Sequence, residues 1–362
     1  MVTCIHVADV HIGMSFRKAS FGNDFASKRR KEIKESFYNI IDRVRDKDFL
    51  FISGDLFEEE NITIKELKEI NYKFEQIPNT KILIISGNHD PIVDNKSNYR
   101  LINWADNVYI FDSNNKKYDF LEHNVSVYGI SWNKKIIREE LIDEVVIEDY
   151  NKINILLVHG DIYNKSDYLP ISKDKLKAKG FDYVAMGHIH KHEFITERIA
   201  YCGSLEPLDF KETGEHGIIE GVVAKEFVDM KFMPMCKREF LQYKFKLTNE
   251  MMLDDIINEI VNVDTKENRS KNMYRIILEG VVDRDLYFDE YIIKDMVKAD
   301  FAYIEFVDKT IRDYDLEKLL EENSDNIIGL YIKEMLNYNL EEEVNKIALY
   351  IGLEALINEK VK

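Results

Sequence analysis

Lys81-Ile82-Leu83-Ile84-Ile85-Ser86-Gly87-Asn88-His89-Asp90 joins an unbroken aliphatic run to a turn and a cluster of polar side chains. The run reads as a buried β-strand. Gly87 lets the backbone turn sharply and come close to a ligand. Asn88, His89 and Asp90 then stand just past the carboxyl end of the strand, where ligand sites collect in open α/β sheets. The same arrangement occurs four more times. Cys4–Ala8 leads into Asp9-Val10-His11, and Phe49–Ser53 into Gly54-Asp55. Ile153–Val158 leads into His159-Gly160, and Tyr183–Met186 into Gly187-His188-Ile189-His190.

A sixth run, Val125–Ile130, is strand-like but carries no such cluster. Between the first two runs, Ile33, Phe37, Ile40, Ile41 and Val44 share one face of a helix expected over 28–46. Lys28, Arg29, Arg30, Lys31 and Lys34 fall on the other face, which is expected to meet solvent. Strands alternating with helices predict an α/β fold in which helices cover the sheets. Residues 194–233 turn strand-like, and Pro234–Glu239 reads as a boundary. Beyond it the pattern predicts strand 240–247, helix 249–263, strand 273–282, helix 287–299 and strand 301–307, a small α+β unit. Helices at 316–337 and 340–358 follow. The expected domains are therefore 1–236, 237–308 and a helical tail, 309–362.

The chain of 362 residues is longer than one compact core usually needs. No apolar run reaches the roughly 18 residues of a membrane span, and the N-terminus lacks the layout of a signal peptide. Three widely spaced cysteines, Cys4, Cys202 and Cys236, suggest neither a disulfide framework nor a thiolate metal site. A cytoplasmic protein with no membrane association is expected. The net charge of −17 divides as −7 over residues 1–236 and −10 over 237–362. The acidity that disfavours a polyanionic partner is thus weighted toward the C-terminal third.

The five clusters offer carboxylates, imidazoles and one amide oxygen, a set suited to Mn2+, Fe2+ or Zn2+ rather than to a soft metal. A central aspartate can bridge two ions about 3.5–4 Å apart, which activate water and neutralise a phosphoryl group. His6 lies inside the first run and is expected in the core, His192 is expected to face solvent, Cys202 is expected to pack, and His216 sits in a Gly-flanked turn.

The ordered series Asp9-x-His11, Gly54-Asp55, Gly87-Asn88-His89-Asp90, His159-Gly160 and Gly187-His188-x-His190 resembles the calcineurin-like metallophosphoesterase superfamily. The resemblance implies a two-sheet αββα sandwich holding two divalent ions, Mn2+ foremost. One ion would be bound by Asp9, His11, Asp55 and His190. The other would be bound by Asp55, Asn88, His159 and His188, with Asp55 as the bridge. It further makes His89 the unligated histidine that contacts the phosphate and protonates the leaving oxygen, and Asp90 the residue that orients His89 and holds it protonated. His6–Gly13 and Gly54-Asp55-Leu56-Phe57 are similar to the DNA-repair exonuclease branch, the SbcD-like nucleases. Gly203–Phe210, Glu212–Gly217 and Gly329–Leu336 are similar to YhaO-type members of that branch. This implies a nuclease acting on DNA together with an SMC-like coiled-coil ATPase. The branch usually places a histidine after Gly-Asp-Leu-Phe, where this chain has Glu58. That departure implies weak exonuclease action on duplex ends and better cleavage of single strands. Two other readings fit the residues: a phosphoesterase for a small nucleotide or phosphomonoester, and a metal-free scaffold subunit. Within Ile347–Ile357 nine of eleven residues are apolar, so that helix must be covered on more than one side. Its partner would be the protein's own cap, a second copy of the chain, or the coiled coil of the ATPase.

Overall fold

A computed structural model describes residues 1–16, 21–93, 96–163, 167–248, 250–282, 290–340 and 342–357. The chain forms two compact units, Met1–Glu239 and Phe240–Lys362.

The first unit runs β1 (Val2–Val7), α1 (Asn23–Arg43), β2 (Phe49–Ser53), α2 (Ile64–Glu75), β3 (Lys81–Ile85), β4 (Val108–Ile110), β5 (Lys117–Phe120) and β6 (Val125–Ile130). It continues with β7 (Ile153–His159), α3 (Lys173–Ala178), β8 (Tyr183–Gly187), β9 (Glu193–Thr196), β10 (Ile199–Tyr201), β11 (Gly217–Val223) and β12 (Val228–Pro234). Two six-stranded sheets result, in the orders β12-β11-β1-β2-β3-β4 and β5-β6-β7-β8-β10-β9. The central strands of each sheet are parallel, so their carboxyl ends share one edge.

Side-chain alternation explains the layering. Phe49, Phe51, Leu83 and Ile85 point between the sheets to meet Val127, Ile155, Leu157 and Ala185. The intervening Leu50, Ile52, Ile82 and Ile84 pack outward against Ile33, Phe37 and Ile40 of α1 and Leu67, Ile70 and Phe74 of α2. On the far side Leu156, Val158, Val184 and Met186 pack against Leu176 and Phe181. Strands buried on both faces read as continuous apolar runs, which is why they were conspicuous in the sequence. The αββα sandwich is as expected. Helix α2, which the sequence pattern did not place, starts at a capping box in which Thr63 and Glu66 satisfy each other's backbone N–H.

The basic face of α1 differs from expectation at one position. Arg29 is fully buried. Its guanidinium donates to Glu32 at 2.8 Å, to Glu206 at 3.1 Å and to the Pro207 carbonyl at 3.1 Å. Arg238 grips Glu32 from the other side at 2.9 and 3.0 Å. Glu206 also accepts from Ser36 at 2.5 Å and from the Lys237 N–H at 2.8 Å. Burial alone would raise the Glu32 carboxyl, but the two guanidinium groups hold it below its ordinary range.

The second unit contains β13 (Phe240–Leu247), α4 (Leu253–Val261), α5 (Lys266–Lys271), β14 (Met273–Val282), α6 (Glu290–Val297) and β15 (Tyr303–Arg312), then α7 (Leu316–Glu322), α8 (Ile327–Met335) and α9 (Glu343–Ile357). Its three strands pair in parallel, in sequence order. The starts of the helices expected at 249 and 287 lie outside the described residues, as do positions 341 and 358 of the last one. The third strand runs to Arg312, five residues past the expected end. The helix expected over 316–337 is two helices. Asn326 ends the interruption by accepting from the N–H groups of Ile328 and Gly329. Gly329 allows the close turn, since a Cβ there would stand 2.0 Å from the Asn323 carbonyl oxygen. In α9, Leu349, Tyr350 and Leu353 are buried with Leu319 and Ile332, while Val344 and Ile351 are exposed.

Removing one partner of a buried ion pair strands the others, at a cost of about 3–5 kcal/mol. Arg29→Met should lower unfolding stability by about that amount in urea titrations. An unchanged midpoint would show that Glu32 and Glu206 are satisfied without it.

Candidate metal centre

The five polar clusters meet at the edge where the parallel strands of both sheets end. The chain reaches this geometry through strained backbone. Asp9, His11, Asp55 and His188 all have positive φ, at 49°, 53°, 51° and 98°. Each such residue costs on the order of 1–2 kcal/mol relative to ordinary backbone. Hydrogen bonds between loops hold the strain. Asp9 N–H donates to the Gly54 carbonyl at 3.1 Å, and Val10 and His11 donate to the Asp55 carbonyl at 2.9 and 3.0 Å. Gly87 is required by close approach, since a Cβ there would lie 2.3 Å from Asp55 Oδ1 and 2.8 Å from His159 Nε2.

Two groups of side chains converge. In the first, His11 Nε2 and His190 Nε2 are 3.2 Å apart, and His190 Nε2 is 3.7 Å from Asp9 Oδ1. In the second, His159 Nε2 is 3.3 Å from Asp55 Oδ2 and 3.1 Å from Asn88 Oδ1. The His188 ring lies 5.3 Å from that of His159, and its backbone N–H donates to Asp9. Asp55 Oδ2 is also 3.9 Å from His11 Nε2, so this carboxylate is within reach of both groups. Asp9 is as well, since Asp9, Asp55 and His159 form a compact trio.

The donor chemistry fits divalent cations. The Nδ1–H of His11 donates to Glu58 at 2.8 Å, and that of His190 to Glu212 at 2.7 Å. In the neutral rings each Nε2 would turn a lone pair toward the other, so the pair calls for a proton or a cation between them. His159 Nδ1–H donates to the Ser53 carbonyl at 2.9 Å, turning its Nε2 lone pair toward the oxygens of Asp55 and Asn88. Acceptors gathered this closely repel unless positive charge lies among them. Titration directions say the same. Burial disfavours a charged His159, yet Asp55 lifts it to about 9. Burial likewise opposes charge on His190, and Glu212 lifts it to about 9. Burial would raise the Asp55 carboxyl, but His159, His11 and His89 hold it far below the carboxylate range. The site draws in protons, and metal ions would take their place.

His89 stands apart from both groups. Its backbone N–H donates to Asp55 Oδ1 at 2.8 Å, and its side chain is 43% exposed. It lines a cleft of about 370 Å3 with Glu58, Glu59, Glu60, Lys135, Ile136 and Tyr168. Asp90 favours the protonated His89 ring through its charge, but the expected orienting hydrogen bond is made elsewhere. Asp90 accepts from the backbone N–H groups of Asp55, Gly87 and Leu56 at 3.2, 2.6 and 2.8 Å and from the Tyr99 hydroxyl at 2.7 Å. Burial and the Asp55 charge push its carboxyl up to about 6. Asp90 therefore braces two loops, and Glu58 bonds His89 Nδ1 instead, at 3.0 Å.

Glu212 was not singled out from the sequence. Its Oε2 also takes the Leu208 N–H at 2.9 Å and the Ser204 hydroxyl at 3.3 Å. His216 is buried and bonds Ser204 Oγ at 2.8 Å, one step behind Glu212. His6 is buried in β1 against the Tyr183 hydroxyl, and Cys202 packs with its thiol toward the His6 carbonyl. His192 stacks on Phe232 with ring centres 3.6 Å apart, rather than standing free in solvent.

A family model described as calcineurin-like phosphoesterase matches residues 2–192. The uncharacterized metallophosphoesterase YhaO of Bacillus subtilis is 30% identical over 246 residues, which cover 62% of this chain and 60% of that protein. The DNA double-strand break repair protein Mre11 of Saccharolobus solfataricus is 23% identical, with 96% of this chain and 98% of that protein aligned. The protein of the same name from Methanopyrus kandleri is 26% identical over 63% of this chain and 56% of its own length.

Carboxylates behind metal-ligating histidines typically contribute 10–100-fold, roughly, to metal affinity. Glu212→Gln should weaken Mn2+ binding by about that factor in calorimetric titrations while the metal-free protein melts as the parent does. Unchanged affinity would remove His190 from the metal site.

Proposed function

The chain belongs to the calcineurin-like phosphoesterase family, hydrolases of phosphoester bonds that use a dinuclear divalent-metal site, and on that premise we propose that it is a DNA nuclease. The observation that carries this reading is alignment along nearly its whole length with a protein named for DNA double-strand break repair. No helix among the described residues is long and apolar enough to cross a membrane.

Asp9, His11, Asp55 and His190 would hold one ion, and Asp55, Asn88, His159 and His188 the other. When bound, such ions lower the pKa of the attacking water and neutralise phosphoryl charge. Mn2+ suits the oxygen- and nitrogen-rich donor set. The protein's own chemistry centres on His89. Its Nδ1 is committed to Glu58, which leaves Nε2 as the ring atom that can donate a proton to the departing sugar oxygen. Burial disfavours the charged His89 ring, but Glu58, Asp55 and Asp90 outweigh it and raise its pKa, supplying that proton. Glu58, Glu59 and Glu60 make the adjoining cleft acidic. Lys135 offsets Glu60 at 2.7 Å, and the remaining carboxylates favour a single strand or a frayed end, which can bend its next phosphates away from them, over a stiff duplex.

Helices α7–α9 support a partner-binding role for the second unit. Ile327, Leu330, Val344 and Ile351 are exposed apolar side chains there. We assign this surface to an SMC-like coiled-coil ATPase, docked as a helix against an apolar face. DNA repair in the cytoplasm is the setting that this pairing implies.

With Mn2+, the purified chain should cleave single-stranded DNA faster than blunt duplex. His89→Asn should keep its metals and lose roughly 10²–10⁴-fold in rate on DNA, and much less on bis-nitrophenyl phosphate, whose leaving group needs no proton. Hydrolysis of nitrophenyl monoesters with no DNA cleavage would replace the nuclease reading with that of a small-molecule phosphoesterase. Removing residues 313–362 should preserve nitrophenyl-ester hydrolysis and abolish co-purification with the ATPase. Retained co-purification would refute the docking assignment.

A further inference from the structure

We propose that Glu58 is a positioning residue that holds two histidines with one carboxylate, His11 on the metal side and His89 on the leaving-group side. The inference rests on the reading of His89 as the proton donor. Oε1 of Glu58 is 2.8 Å from His11 Nδ1 and Oε2 is 3.0 Å from His89 Nδ1. The two rings stand edge to face, with centres 4.8 Å apart and planes at 88°. Each oxygen therefore meets its own ring nitrogen from a different direction.

The carboxylate is itself fixed. Glu58 N–H donates to the Ile12 carbonyl at 2.9 Å, and the Glu58 carbonyl accepts from Asn61 and Ile62 at 2.9 Å. The next residue, Glu59, donates its N–H to the His89 carbonyl at 3.0 Å. The Glu58 side chain is only 14% exposed. Three loops, those after β1, β2 and β3, are tied together at this point, and each contributes one of the three side chains.

The consequence for each ring follows from what imidazole can donate and accept. With Nδ1–H on Glu58, His11 presents its Nε2 lone pair to the position shared with His190 and Asp9. With Nδ1–H on the same group, His89 presents Nε2 to the cleft. Only a carboxylate supplies two acceptor oxygens for two N–H donors in this span. A neutral histidine at position 58 has one acceptor nitrogen, so it could serve one ring and not both. Asp90 cannot substitute, since both its oxygens are occupied by Asp55, Gly87, Leu56 and Tyr99.

Glu58→Met keeps nearly the same volume and removes both acceptor oxygens. Its Mn2+ affinity, titrated calorimetrically with metal alone, should fall by roughly 10–100-fold through His11. At saturating Mn2+, turnover of a nucleoside phosphodiester should fall at least ~10²-fold, as loss of acid catalysis predicts, while turnover of bis-nitrophenyl phosphate changes only a few-fold. At saturating Mn2+, Glu58→Met combined with His89→Asn should lose no more on the nucleoside ester than His89→Asn alone, because both changes remove the same proton-donating function. Melting of the metal-free variants at the parent temperature will show that the fold is intact. Parental Mn2+ affinity, an equal loss on both esters, or multiplied losses in the double variant would each overturn the proposal. Full activity of metal-loaded His89→Asn on the nucleoside ester would instead overturn the proton-donor reading, and with it the part of the proposal that acts through His89.

Discussion

Lone pairs crowded into a small volume are the constraint on which the rest of this structure depends. Two imidazole Nε2 atoms 3.2 Å apart, with carboxylate oxygens beside them, form a stable arrangement only around positive charge. The four strained backbone positions make sense in that light. Asp9, His11, Asp55 and His188 adopt conformations that non-glycine residues avoid, and their side chains are among those that converge. Backbone strain and a demand for positive charge therefore meet at one edge of the sheets. Cations would answer the charge, whereas the strain is borne by the scaffold beneath, whose rigidity holds the donors in place.

That rigidity comes from the sandwich. Phe49, Phe51, Leu83 and Ile85 interlock with the facing sheet, so the strand ends that carry the loops cannot drift independently. The buried pairs of Arg29, Glu32, Glu206 and Arg238 tie α1 to the segments that follow β10 and β12. Glu206 lies only six residues before Glu212, which holds His190. The ionic network and the metal-side carboxylate are thus anchored on one short stretch of chain.

Glu58 and Asp90 show how similar residue types divide labour by depth. Asp90 is fully buried and spends its acceptors on backbone N–H groups and a phenol, which shape the loops. Glu58 is nearer the surface and spends its acceptors on two imidazoles. Burial and the neighbouring Asp55 push the first carboxyl up, whereas burial is outweighed at the second by two histidine bonds that hold it at about 2.

The sequence by itself determined an α/β scaffold and the set of candidate ligands, and the resemblance of its motifs supplied the αββα layering. Fully buried parallel strands must be written as continuous apolar runs, and the residues after them fall at one edge, so Asp9, His11, Asp55, Asn88, His159, His188 and His190 could be read in order. It did not reveal that Arg29 is buried, because helical periodicity places a side chain on a face without showing what covers that face. It did not reveal α2 or the break at Asn323–Asn326, where caps and a close glycine contact override propensity. The family resemblance implied that Asp90 would orient His89, but the strand-end turn sends the two side chains to different partners. Only the tertiary structure brought Glu58, 31 positions away, to His89 Nδ1, and Glu212, 22 positions away, to His190 Nδ1. Partners to a histidine's second nitrogen come from whichever loop the sheet register places alongside, and register is a property of paired strands rather than of any one segment.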